Sequence, residues 1–111
     1  MDVRKIDDDY SVSAQIDADD VDIVSLLGFR SIVCHRPDHE QADQPEFSAI
    51  AERARQLGIE VRHIPVTPAA LTEEAVGGMA RALGELPRPI LGYCRSGARS
   101  TKIYERALQS P

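Results

Sequence analysis

The stretch Pro89-Ile90-Leu91-Gly92-Tyr93-Cys94-Arg95-Ser96-Gly97-Ala98-Arg99-Ser100 runs from a short apolar segment into a glycine-containing polar loop. The apolar segment reads as a buried strand that ends at the cysteine. Ile103, Tyr104, Ala107 and Leu108 then recur at helical spacing, so the loop joins a strand to a helix. The first turn of a helix leaves N–H groups without partners, and its dipole adds partial positive charge there. A loop wrapped around those groups binds anions, and Gly97 permits backbone angles that a side chain would forbid.

Upstream, the same strand-to-helix alternation repeats. Ser31 to Cys34 reads as a strand and Val61 to Val66 as another, with a further strand between Tyr10 and Ile16. Asp17 is placed to cap a helix carrying Val21, Val24 and Leu27, closed by Gly28. Pro45 suits the first turn of a second helix, with Phe47, Ile50, Ala54 and Leu57 on one face and Gly58 beyond its end. Thr72 caps a third, with Ala75, Val76, Met79 and Leu83 inward, against a cost of about 1 kcal/mol for each of Gly77 and Gly78. The pattern predicts an α/β fold: one domain over residues 1–111, with a mainly parallel sheet flanked by helices.

Composition narrows the function classes. A length of 111 residues allows one hydrophobic core, and a net charge of -5 argues against nucleic acid as a main partner. The first nine residues carry no apolar stretch, and no run is long enough to span a bilayer, so a cytoplasmic location and no membrane partner are expected. Two cysteines make no disulfide framework, and a cysteine beside special sequence is more often catalytic or metal-binding.

The loop gathers the parts of a nucleophilic site. A thiol at a helix start has its thiolate stabilised. Cys94 is the expected nucleophile, and Arg99 offers a planar fork for an oxyanion. Arg95, Ser96, Gly97, Ala98 and Ser100 supply the cradle, with Ser100 placed to donate to the sulfur. No cofactor is expected. No metal is expected either: Pro37 between His35 and His39 breaks a shared helix face, and no cysteine pair completes a zinc set. Cys34, at another strand end, is a candidate resolving thiol or a packing residue, and His63 reads as structural.

The loop, Arg36-Pro37-Asp38, Gln44-Pro45 and His63-Ile64-Pro65-Val66 together resemble the bacterial beta-lactamase hydrolase-like protein, phosphatase-like domain family, from about Ser11 to Ile103. The resemblance implies a fold like that of dual-specificity cysteine phosphatases. It also implies that Arg36 and Asp38 line or brace the pocket rim and, from fused members, a persulfide dioxygenase domain or protein as a partner.

Three features set this chain apart from the tyrosine phosphatases it resembles in that loop. Those enzymes place one more residue between cysteine and arginine, where this chain has the four residues Arg95 to Ala98. They carry histidine before the cysteine, where this chain has Tyr93. They use an upstream aspartate as acid, whereas here none follows Asp43; Thr67 and Pro68 occupy the expected region, and between Pro68 and Cys94 the carboxylates are Glu73, Glu74 and Glu85. The spacing is similar to that of rhodanese sulfurtransferases. The favoured expectation is therefore sulfur transfer, with Cys94 taking a persulfide from thiosulfate or a small persulfide. The partners would be a small anionic sulfur donor and a thiol acceptor. The alternative is a phosphatase working through phosphocysteine, with Asp38 as an unusual acid. A non-catalytic module binding an anion or a persulfide is the third.

Overall fold

The computed structural model describes residues 1–109. Nine elements follow in order: β1 (Arg4–Lys5), β2 (Tyr10–Ser13), α1 (Ala18–Leu26), β3 (Ser31–Cys34), α2 (Phe47–Gln56), β4 (Glu60–His63), α3 (Glu73–Glu85), β5 (Ile90–Tyr93) and α4 (Ala98–Leu108). They build one five-stranded sheet in the order β1-β2-β5-β3-β4. The pairs β2–β5, β5–β3 and β3–β4 are parallel, while β1 runs antiparallel to β2 at one edge.

The predicted α/β architecture is present, with differences at the margins. Two exposed residues form β1, too few to leave an alternating pattern in the sequence. The strand expected over Val61 to Val66 regularises only as Glu60–His63, yet Ile64 and Val66 still donate to the carbonyls of Cys34 and His35, both at 2.9 Å. Val21 and Val24 of α1 are buried, whereas Leu27 is 58% exposed, because the helix stops at Leu26 and Gly28 turns the chain away at φ 92°. Helix α3 passes through Gly77 and Gly78 unbroken.

Side chains alternate across the sheet and fill two cores. Tyr10, Val12, Val33 and Ile90 meet Met79, Ala82, Ile103 and Tyr104 of α3 and α4 on one face. Ile32, Cys34, Leu91 and Tyr93 meet Val21, Val24, Ile50 and Ala54 of α1 and α2 on the other. A sheet covered on both faces explains why its strands read as apolar runs.

Register decides where the site lies. Tyr93, the last residue of β5, is level with Ser13 of β2 on one side and Cys34 of β3 on the other. Cys34 is in turn level with His63 of β4. The carboxyl ends of all four parallel strands therefore finish together, and the connections leaving them converge on the loop after Tyr93.

Candidate active site

Residues 94–100 carry the chain from β5 to α4. Gly97 sits at φ 97°, the left-handed conformation that lets the loop turn into the helix. A side chain there would also meet the Arg4 guanidinium, with the nearest atom 2.7 Å from the added carbon. The Gly97 N–H donates to Cys94 Sγ at 3.0 Å. Burial alone would push the Cys94 thiol up. The main-chain N–H groups of Ser100, Ser96 and Gly97, with the Ser100 hydroxyl, outweigh it and bring the thiol below a cysteine's ordinary value. The sulfur itself has no exposed surface. Above the loop lies a hollow of about 450 Å³, lined by Val66 to Leu71 on one side and by Arg95, Ser96, Ala98, Arg99 and Lys102 on the other. Its charged lining is entirely cationic.

Ser100 is buried and fixed from two directions. Its main-chain oxygen accepts from Tyr10 Oη at 2.9 Å, and its Oγ lies 2.9 Å from Nδ1 of His35. Tyr10 is held in turn by stacking on Tyr104, with centroids 4.0 Å apart. His35 has no exposed surface, and burial brings its imidazole down to about 3, with His63 and Arg99 adding to the effect. The ring is therefore neutral. A hydroxyl has one proton: with that proton directed at the sulfur, Ser100 Oγ must accept from Nδ1–H of His35.

Arg99 braces the loop. Its Nη1 and Nη2 fork onto the two oxygens of Glu40 at 2.7 and 2.8 Å, and Nη1 also donates to the Val66 carbonyl at 2.8 Å. The guanidinium thus ties the loop to the β3–α2 connection. Glu40 also accepts from Nε of Arg36 at 2.9 Å. The Arg99 hydrogen bonds bring its carboxyl down to about 2 against partial burial, with Arg36 adding to the effect.

Arg36 acts as a brace within the protein. It is almost wholly buried, and its remaining donors go to Gln15 Oε1 at 3.1 Å and Gln41 Oε1 at 3.0 Å. Asp38 is also used locally: its Oδ1 accepts from the Phe47 N–H at 2.8 Å and satisfies the start of α2. It does not line the hollow. Cys34 donates to the Arg36 carbonyl at 3.3 Å, and burial pushes its thiol up, opposite to Cys94. His63 bonds the Arg36 carbonyl through Nε2 at 2.9 Å and stacks on Phe47. Glu40 was not expected from the sequence. Its one signal was a carboxylate four places after Arg36 in a loop rich in acids and amides.

The model of the beta-lactamase hydrolase-like protein, phosphatase-like domain, matches residues 2–109. The beta-lactamase hydrolase-like protein of Xylella fastidiosa (strain Temecula1) is 30% identical over 104 residues, covering 94% of this chain and 24% of that protein. The chain thus spans about a quarter of the length of this relative. A crystal structure from Neisseria meningitidis, provisionally named a phosphatase, superposes with a TM-score of 0.87 at 31% identity, covering 100% of this chain and 80% of that one. Pseudomonas aeruginosa TpbA in complex with phosphotyrosine superposes with a TM-score of 0.68 at 17% identity, covering 96% of this chain and 64% of that one, a likeness of fold.

These findings overturn the expectation of sulfur transfer. The short spacing from Cys94 to Arg99 carried that expectation, yet the family and its structural relatives are phosphatase-like. Arg99 itself is engaged by Glu40 and Val66. Among the described residues, no helix is long and apolar enough to cross a membrane.

Proposed function

The chain belongs to the beta-lactamase hydrolase-like protein, phosphatase-like domain family, and from that premise we propose that it is a cysteine-dependent phosphatase. The observation that carries this reading is the Cys94 sulfur, held in a ring of loop N–H groups that lower its thiol, beneath a hollow whose charges are all positive.

The Cys94 thiolate attacks phosphorus, forming an S–P bond as the P–O bond to the leaving group breaks. That electron pair departs on the leaving oxygen. Water then attacks the phosphocysteine, the S–P pair returns to sulfur, and phosphate leaves with a proton released to solvent. Because the sulfur has no exposed surface, the loop must part over it to admit the phosphoryl group. The N–H groups of Ser96, Gly97 and Ser100 then turn to the phosphoryl oxygens, and Arg95 and Lys102 supply positive charge at the entrance.

The test is phosphate release from p-nitrophenyl phosphate, followed in parallel for the native protein and Cys94→Ser, with acid quench to trap labelled phosphocysteine. Turnover and a trapped adduct in the native protein, both absent from the serine variant, support the reading. Equal release from both proteins rejects it.

A further inference from the structure

We propose that the substrate carries its phosphoryl group on an acidic oxygen, as in an acyl phosphate or a phosphoanhydride, because, among the described residues, no carboxylic acid or imidazole lines the pocket to protonate a leaving alkoxide. The inference rests on the phosphatase reading and concerns the bond that such an enzyme can break.

Each carboxylate that might serve as the acid is committed elsewhere. Glu40 is nearest the loop, but both its oxygens lie on Arg99, and one also accepts from Arg36. Those contacts keep it ionised far below neutral pH, so it has no proton to give. Asp38 accepts the first N–H of α2. Glu73 pairs with Arg106 at 3.0 Å and Glu85 with Arg62 at 3.3 Å. Glu74 lines a separate hollow with His63, Thr72 and Arg81. The segment that overhangs the Cys94 loop is Thr67-Pro68-Ala69-Ala70-Leu71, which contains no titratable side chain. His35 is buried and neutral, and its Nδ1 faces Ser100.

Positive charge is what the hollow offers instead, from Arg95 and Lys102, Arg99 being paired with Glu40. A guanidinium stabilises an oxygen that leaves as an anion without transferring a proton to it. A leaving group whose conjugate acid is strong departs readily on those terms. A serine-like alkoxide does not, and forfeits the factor of about 10²–10⁴ that a general acid typically supplies.

The experiment measures kcat/KM for aryl phosphates with leaving phenols graded in acidity, together with acetyl phosphate, pyrophosphate and an alkyl phosphate. The proposal expects a fall of about 100-fold or more from the most to the least acidic phenol. It also expects turnover of acetyl phosphate or pyrophosphate and none of the alkyl ester. In Glu40→Gln the absolute rates drop, but the dependence on phenol acidity keeps its slope. Rates that stay within about threefold across the series, or a slope that steepens in Glu40→Gln, reveal a proton donor and overturn the proposal. Release of phosphate from none of these compounds overturns the phosphatase reading, and this inference with it.

Discussion

His35 Nδ1 and Ser100 Oγ lie 2.9 Å apart inside the protein, a contact that holds the serine hydroxyl against the imidazole edge. With His35 donating from Nδ1, the one Ser100 proton is left for the Cys94 sulfur. A hydrogen bond to a charged group is worth about 1.5–3 kcal/mol. Ser100→Ala is therefore expected to raise the Cys94 thiol and to lower kcat/KM about 10- to 100-fold at neutral pH. Ser100→Thr, which keeps the hydroxyl, should retain most of both. Thiolate absorbance followed through a pH titration reads the first effect, and an unchanged titration in Ser100→Ala would reject the arrangement.

The same histidine predicts an acid-labile fold. Its imidazole titrates near 6.5 when free and is brought to about 3 by burial. Below 6.5 the unfolded chain takes up a proton that the folded protein refuses, so stability is complete above that value. It falls as the pH drops towards 3, by about 1.4 kcal/mol for each unit crossed. Urea denaturation at a series of pH values should show this slope, and His35→Gln should flatten it between pH 6.5 and 4.5. A slope in that interval identical to the native one would assign it to other groups.

Glu40 stands between two guanidiniums, those of Arg99 and Arg36. Its carboxylate is about a fifth exposed and the Arg36 side chain almost fully buried. The pairing thus falls between an exposed ion pair, worth at most about 1 kcal/mol, and a buried one, whose disruption costs about 3–5 kcal/mol. Glu40→Gln is expected to cost roughly 2 kcal/mol, seen as a lower denaturation midpoint. Because the native carboxyl is lowered to about 2 from an ordinary 4.5, its contribution is complete above pH 4.5 and disappears as the pH falls towards 2. The variant and the native protein should therefore converge in stability at low pH. A gap that persists there would mean the loss is one of packing.

The strand, the loop and the helix that carry Cys94 were legible because their signals are local. An apolar run, a glycine at the turn and helical spacing after it occupy adjacent residues. The parallel sheet followed from the same alternation. What the sequence concealed depends on distant approach. Glu40 meets Arg99 across 59 positions from a connection with no periodicity, so neither the carboxylate nor the arginine's true engagement could be read from spacing. In the sequence His35 stands out only beside His39, as a metal pair that Pro37 breaks. Its contact with Ser100, 65 positions away, exists only once β3 and β5 lie side by side. The short Cys94–Arg99 spacing points towards sulfur transfer for the same reason: nothing local shows that the arginine is forked onto Glu40.

Two glycines sort the cost of a single methyl group by what surrounds it. At Gly92, in β5, an added carbon would run into the Tyr10 ring, 2.7 Å from Cζ and still nearer the hydroxyl. Tyr10 cannot swing aside freely, since it stacks on Tyr104 and donates to the Ser100 carbonyl. Gly92→Ala is therefore expected to cost about 1–3 kcal/mol, as overpacking of a core does. It should also lower activity, because the displaced ring releases Ser100. At Gly84, exposed in α3, an added carbon meets nothing within 4 Å. Gly84→Ala there gains helix propensity and is expected to stabilise by about 0.5–1 kcal/mol with activity unchanged. Paired thermal and urea melts check both. A Gly92→Ala protein as stable and active as the native one would show that Tyr10 is not the fixed prop on which Ser100 depends.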